Sequence, residues 1–152
     1  MYNYVLMCTV VSWAAAQIIK TMLNLAQKKI FDVERLFGAG GMPSSHTAFM
    51  VSGLTAVGRV KGVTSVEFAV MFAISAIVVY DALGVRYAAG QHAKAINKLN
   101  KYIDQIRKAE YVKLTFDDQE KKELKEMLGH TPLEVLGGAV LGFTAAFLLP
   151  VG

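Results

Sequence analysis

Two short segments carry the residue types that handle phosphate. One reads Gly40-Gly41-Met42-Pro43-Ser44-Ser45-His46-Thr47-Ala48, the other Gly129-His130-Thr131-Pro132-Leu133-Glu134-Val135-Leu136-Gly137-Gly138. Each is a glycine turn, a proline near a predicted helix start, and an imidazole. Proline favours the first helical turn. A helix N-terminus offers free N–H groups and a positive dipole end, which together bind phosphate. Ser44 and Ser45 add hydroxyl donors. His130 and Glu134 stand at i and i+4, so they share a helix face. An imidazole nucleophile must be neutral and oriented, which a carboxylate on its other nitrogen achieves. A second imidazole can supply the proton that a departing oxygen needs. Cations and helix N-termini stabilise the equatorial oxygens. A purely structural reading exists for each segment. Thr131-Pro132-Leu133-Glu134 is also a capping box, and Ser44 and Ser45 also suit plain N-caps.

Three further charges sit where charge is expensive. Asp81 lies about one turn inside the end of an apolar stretch, and an ionisable residue at that depth is a functional candidate with a partner expected nearby. Arg86 follows five residues on, a spacing that does not share one helical face; the pair also reads as a helix-end salt bridge with an interface anchor. Lys20 ends the first apolar stretch, where it either meets the anion or snorkels to the interface. Cys8, the one cysteine, rules out a disulfide framework or a thiolate zinc site. It is expected as a small buried hydrophobe. No metal and no cofactor are expected.

These residues need elements to hold them, and composition says which. The 152 residues are 54% hydrophobic and 18% charged, against about 25% charged in soluble domains. Mean hydropathy is +0.39. The length predicts one domain over 1–152. Four apolar stretches stand out: Tyr2 to Ile19, Thr47 to Val60 (a helix from Pro43 to about Lys61), Phe68 to Val85, and Leu133 onward. A leader peptide fits the first poorly, because no basic residue precedes the run and Lys20 follows it. Arg59 and Lys61 could snorkel to the interface. None of the four shows the stripe of a soluble helix, so the expected fold is all-α, an integral membrane bundle of about four transmembrane helices.

The stretch from 91 to 127 differs. Ala95, Ile96, Leu99, Tyr102, Ile103 and Ile106 recur at three- and four-residue steps, with Lys94, Lys98, Lys101 and Arg107 elsewhere. That pattern predicts a basic amphipathic helix, on a membrane surface or packed on the bundle, within a helical loop at about 88–128. Thr115 and Asp118 then cap a second short helix over Gln119 to Leu128. Four spans put the 20–46 and 86–130 loops on one side, and nearly all Lys and Arg fall in those loops. The positive-inside rule makes that side cytoplasmic. The formal charge of +4 is thereby assigned to topology, and nucleic acid is not an expected partner.

Taken together, the motifs carry a resemblance. Pro43-Ser44-Ser45-His46 resembles the P-S-x-H motif of the phosphatidic acid phosphatase type 2 and vanadium haloperoxidase superfamily. His130-Thr131-Pro132-Leu133-Glu134 resembles its H-x-x-x-D motif, with Glu for Asp. Gly40 to Ala48, Tyr80 to Arg86 and Leu128 to Pro132 are similar to the divergent, YuiD-like branch, across about Gln17 to Gly142. The resemblance implies a metal-independent phosphatase for lipid-linked phosphates or diphosphates. It makes His130 the nucleophile that forms a phosphohistidine, Glu134 its orienting partner and His46 the leaving-group acid. Lys20, Arg35, Ser44, Ser45 and Arg86 would hold the phosphate, with Asp81, Gly41 and Gly129 in support. Lys28 and Arg35 keep the first-motif spacing, but Leu36 replaces its proline; the usual third-motif arginine position is Leu124.

The implied partners are the membrane and a phospholipid or isoprenoid phosphate, and four short spans leave room for a homo-oligomer. A competing function is a non-catalytic membrane protein that binds anionic head groups or a partner protein. Vanadate-dependent redox chemistry ranks below both, since such superfamily members are soluble and much longer.

Overall fold

The computed structural model describes residues 3–28, 41–110, 124 and 128–151. It is all-α, with five helices among the described residues: α1 (Tyr4–Lys28), α2 (Ser45–Lys61), α3 (Val66–Leu83), α4 (Val85–Glu110) and α5 (Pro132–Leu148). Arg35 and the short helix expected over 119–128 lie outside the described residues, save Leu124 and Leu128.

Local chemistry sets the helix ends. Asn3 Oδ1 accepts from Leu6 N–H ahead of α1. Ser44 and Ser65 cap α2 and α3 through their side chains. Gly62, at φ +85°, stops α2 in a conformation that L side chains rarely adopt. α5 opens with Pro132 after Thr131, in a complete capping box with Glu134.

α1, α2, α3 and α5 form the bundle, and long-range bonds fix its sense. Ser44 at the start of α2 bonds Glu134 at the start of α5. Tyr4 at the start of α1 bonds Ala146 near the end of α5. His130, just before α5, bonds Ala82 near the end of α3. So α2 and α5 run parallel, and α1 and α3 run against them. Both long connections therefore fall at one end, as charge placement predicts. Tyr4–Ala26 within α1, and Val66–Ile106, which takes in α3 and most of α4, are long and apolar enough to cross a membrane, and α5 is a shorter apolar helix.

The seam between α2 and α5 is nearly side-chain-free. A Cβ on Gly138 would lie 2.3 Å from Ser44 O, and one on Gly142 2.4 Å from Ala48 O. Small residues at such seams let backbones approach closely, as membrane bundles require. Cys8 is fully buried, as expected.

One expectation needs correction. Lys20 does not end a span: α1 continues to Lys28, because Thr21 to Gln27 contain no breaker, and Lys20 is buried inside the bundle. Arg59, exposed at the end of α2, also reaches the end of α5. Its Nη1, with two hydrogens to give, stands within hydrogen-bond reach of Tyr4 Oη and of the carbonyls of Ala146, Phe147 and Leu149. The guanidinium also lies 5.6 Å from the Tyr4 ring centroid and 5.3 Å from that of Phe147. Carbonyls at a helix end lack intrahelical donors, and Arg59 supplies them.

Candidate active site

The site is the end of the bundle where both motif segments meet. Gly129, at φ +81°, lies backbone to backbone on the first turn of α4; a Cβ there would be 2.3 Å from Tyr87 N. The N–H of His130 donates to Ala82 O at 3.1 Å, and that of Ser44 to Glu134 O at 2.9 Å. Main-chain contacts thus tie the Ser44–His46 segment, the His130–Glu134 segment and the end of α3 together.

His130 is 2% exposed. Its Nδ1 lies 3.2 Å from Glu134 Oε2, and the same oxygen accepts the Thr131 N–H at 3.0 Å. The capping box and the imidazole partner, alternatives in sequence, are one carboxylate serving both. A carboxylate only accepts, so Nδ1 carries the proton and Nε2 keeps its lone pair. That Nε2 is buried with no hydrogen-bond partner among the described residues. Burial pushes the imidazole below its ordinary pKa; the Glu134 hydrogen bond and charge pull it back up, and Lys20 and His46 push it further down. The His46 ring stands 6.0 Å from that of His130, centroid to centroid. The charges acting on His46 are those of Arg86, Lys20 and Asp81.

Lys20 is 5% exposed, and its Nζ also lacks a hydrogen-bond partner among the described residues. Glu134 is the opposite charge acting on it. Gly41, at φ +90°, rests on its stem, where a Cβ would meet Lys20 Cγ at 3.4 Å. A buried amine without a partner is costly, and an anion relieves that cost.

Asp81 and Arg86 meet, Nε to Oδ2 at 2.7 Å, although their spacing in one continuous helix would keep them apart. The helix breaks between them at Gly84 (φ −98°, ψ −87°), and the break turns Arg86 back onto Asp81. Both line a cavity of about 290 Å³ with His46, Ile77, Val78, Ala82, Gly129 and His130. A second, apolar groove of about 320 Å³ adjoins it, lined by Trp13, His46, Phe49, Met50 and Val78. His46 and Val78 belong to both. Nothing in the sequence marks Trp13, Phe49 or Val78, because an apolar side chain in an apolar helix carries no local signal.

The serines divide. Ser44 is fully buried and caps α2, its Oγ accepting from Thr47 N at 3.3 Å and Thr47 Oγ1 at 3.0 Å. Ser45 is the first residue of α2 and is also buried. Of the named site residues that are described, Lys20, Gly41, Ser44, Ser45, His46, Asp81, Arg86, Gly129, His130 and Glu134 converge at this end of the bundle. Among the described residues, no group of three His, Cys, Asp or Glu could hold a metal ion. The arrangement presents two imidazoles, a buried amine and a guanidinium, and it suits a small oxyanion.

The profile of the Divergent PAP2 family matches residues 1–145. The chain is 34% identical over 151 residues to a protein of Bacillus subtilis (strain 168) named "Uncharacterized membrane protein YuiD", covering 97% of this chain and 94% of that one. No solved structure is significantly similar. Matching motifs, an all-helical apolar bundle and near full-length similarity agree: the chain is a membrane protein of the Divergent PAP2 family.

Proposed function

We propose that the protein is a membrane phosphatase that hydrolyses a lipid-linked phosphate or diphosphate through a phosphohistidine at His130. The observation that carries this reading is the pair of imidazoles 6.0 Å apart, one buried with Nδ1 on a carboxylate and Nε2 unpartnered. Phosphoryl transfer asks mainly for positioning and charge stabilisation, and Lys20 and Arg86 supply cations. In the proposed reaction Nε2 of His130 attacks phosphorus. The bond from phosphorus to the bridging oxygen breaks, and His46 gives its proton to that oxygen. Water then attacks the phosphohistidine and loses a proton to the neutral His46. The N–P electron pair returns to His130, and inorganic phosphate leaves. The apolar groove that shares His46 and Val78 with the cavity favours a substrate with an apolar chain. The Lys and Arg of the 20–46 and 86–130 loops favour a reaction at the cytoplasmic face; aqueous labelling of single cysteines at Thr64 and Gln105 tests that orientation by reacting from opposite sides.

The test is turnover of purified protein on a panel of lipid phosphates. His46→Ala should slow release from alkyl phosphates by about two to four decades, and release from aryl phosphates of low leaving-group pKa far less, because only a basic oxygen needs a proton donor. Equal loss on both substrates would remove the acid role. Lipid phosphate binding without turnover on any substrate would favour the binding-protein reading.

A further inference from the structure

The helix that follows the break at Gly84 carries an apolar stripe that the bundle leaves open. Ile96, Leu99, Ile103 and Ile106 are 46%, 58%, 39% and 59% exposed, and their three- and four-residue steps set them on one face. The packed face of α4 is a different one. Gly90, Ala93 and Asn97 are buried, and the Asn97 amide donates to Leu124 O at 2.9 Å and accepts from Leu124 N at 3.1 Å. Lys94 and Lys98 occupy a third, exposed face, with Lys98 Nζ 5.8 Å from the Tyr102 ring centroid. The small residues of α4 are thus turned inward and the large apolar ones outward, the reverse of a helix docked on a core. Among the described helices, α4 packs only against α3.

Continuity supplies the missing neighbour. α3 opens the stretch Val66–Ile106, one of the two long and apolar enough to cross a membrane, and α4 starts two residues after α3 ends. The first turn of α4 therefore stands at the bilayer boundary. A helix with a strong apolar face and cations elsewhere, starting at that boundary, has the composition of one lying in the interface. We propose that α4 lies along an anionic lipid surface, with Ile96, Leu99, Ile103 and Ile106 against the acyl boundary and Lys94 and Lys98 toward head groups. This requires only that α3 spans the membrane, and it stands or falls apart from any catalysis. Because Arg86 is in the first turn of α4, the helix also holds the cavity mouth at head-group level.

The test uses the full chain with an environment-sensitive fluorophore on single cysteines at 94, 96, 98, 99, 103 and 106. Cys8 is fully buried and out of reach of the label. The protein is reconstituted in phosphatidylcholine vesicles with or without phosphatidylglycerol. The expected result is blue-shifted emission and quenching by shallow bromolipids at 96, 99, 103 and 106, with acrylamide reaching 94 and 98. Lipid quenching at the four apolar positions should be several-fold stronger with phosphatidylglycerol, and Lys94→Gln with Lys98→Gln should bring it down to the neutral-lipid level. Acrylamide access at all six positions would overturn the proposal. So would equal lipid quenching in both vesicle types. Protection from both quenchers together with cross-linking between copies at 99 would show instead that a second copy covers the stripe.

Discussion

Oε2 of Glu134 lies 3.2 Å from Nδ1 of His130, and through the same atom it holds the Thr131 N–H at 3.0 Å. The two duties separate by substitution. Glu134→Gln keeps the capping box, in which Gln also serves, but no longer offers a carboxylate to the imidazole. A hydrogen bond to a charged group contributes roughly 1.5–3 kcal/mol, so phosphoenzyme formation should slow by about one to two decades with little change in melting temperature. Glu134→Ala should lose both. His130→Ala should form no phosphoenzyme. Rapid-quench labelling and thermal melts read both effects; normal turnover in Glu134→Gln would leave the carboxylate as a cap alone.

The pH profile follows from burial of His130. Its pKa is held below the ordinary value, chiefly by desolvation. A nucleophile must be neutral, so on an aryl phosphate whose leaving group needs no proton from His46, phosphoenzyme formation should be level near neutral pH. It should fall only on the acid side, through an apparent pKa below about 6.5. Glu134 raises the imidazole pKa, so Glu134→Gln should move that limb to still lower pH. The stability sign is the same. Folding disfavours the protonated ring, so this contribution is complete above the unfolded pKa and is lost as pH falls through the folded one. An acid limb above 6.5, or one that moves upward in Glu134→Gln, would contradict the assignment.

The Asp81–Arg86 pair predicts a binding effect. Asp81 occupies Nε of the guanidinium and leaves both terminal nitrogens for an anion. Arg86→Lys keeps the charge but loses the planar fork, so KM for the phosphate substrate should rise at least about tenfold. Asp81→Asn should raise KM by less and leave kcat nearly unchanged. Steady-state kinetics separate the two, and wild-type kinetics in Arg86→Lys would make Arg86 an anchor only.

The α2–α5 seam predicts a contrast between neighbours. A Cβ at Gly138 would stand 2.3 Å from Ser44 O and 3.0 Å from Thr47 Cβ, whereas one at Gly137 meets the mobile end of Met42, Cε, at 3.1 Å. Gly138→Ala should destabilise by about 1–3 kcal/mol, as overpacking does, and should displace the Ser44–Glu134 bond beside the site. Gly137→Ala should be close to neutral in both. Melting temperature and turnover measured on the two variants test the seam.

The helices were legible because their signals are local. Pro43 and Pro132 mark helix starts, glycines mark turns, and apolar stretches mark the bundle. The two histidine segments stood out for the same reason. What the sequence hid depends on long-range contact. A lysine usually ends a span, so Lys20 reads as a terminus until the rest of α1 and the burial of its amine are seen. Residues five apart do not meet on a straight helix, and no pattern announces that Gly84 breaks the helix between Asp81 and Arg86. Arg59 reads as an anchor because its acceptors lie as many as 90 residues away in sequence.

Arg59 has a consequence for how the bundle sits in a bilayer. α2 and α5 have 17 residues each, a rise of about 25 Å at 1.5 Å per residue, against a hydrocarbon core of about 30 Å. Were both to span, a mismatch of about 5 Å would have to be absorbed. At the far end of α5, Arg59 has its charge taken up by three carbonyls, a tyrosine hydroxyl and two aromatic faces. That end tolerates a position below the head groups without stranding its polar groups. Under the proposed function, which sets His46 and His130 at the lipid phosphates, the shortfall falls on the Arg59 side of the two short helices.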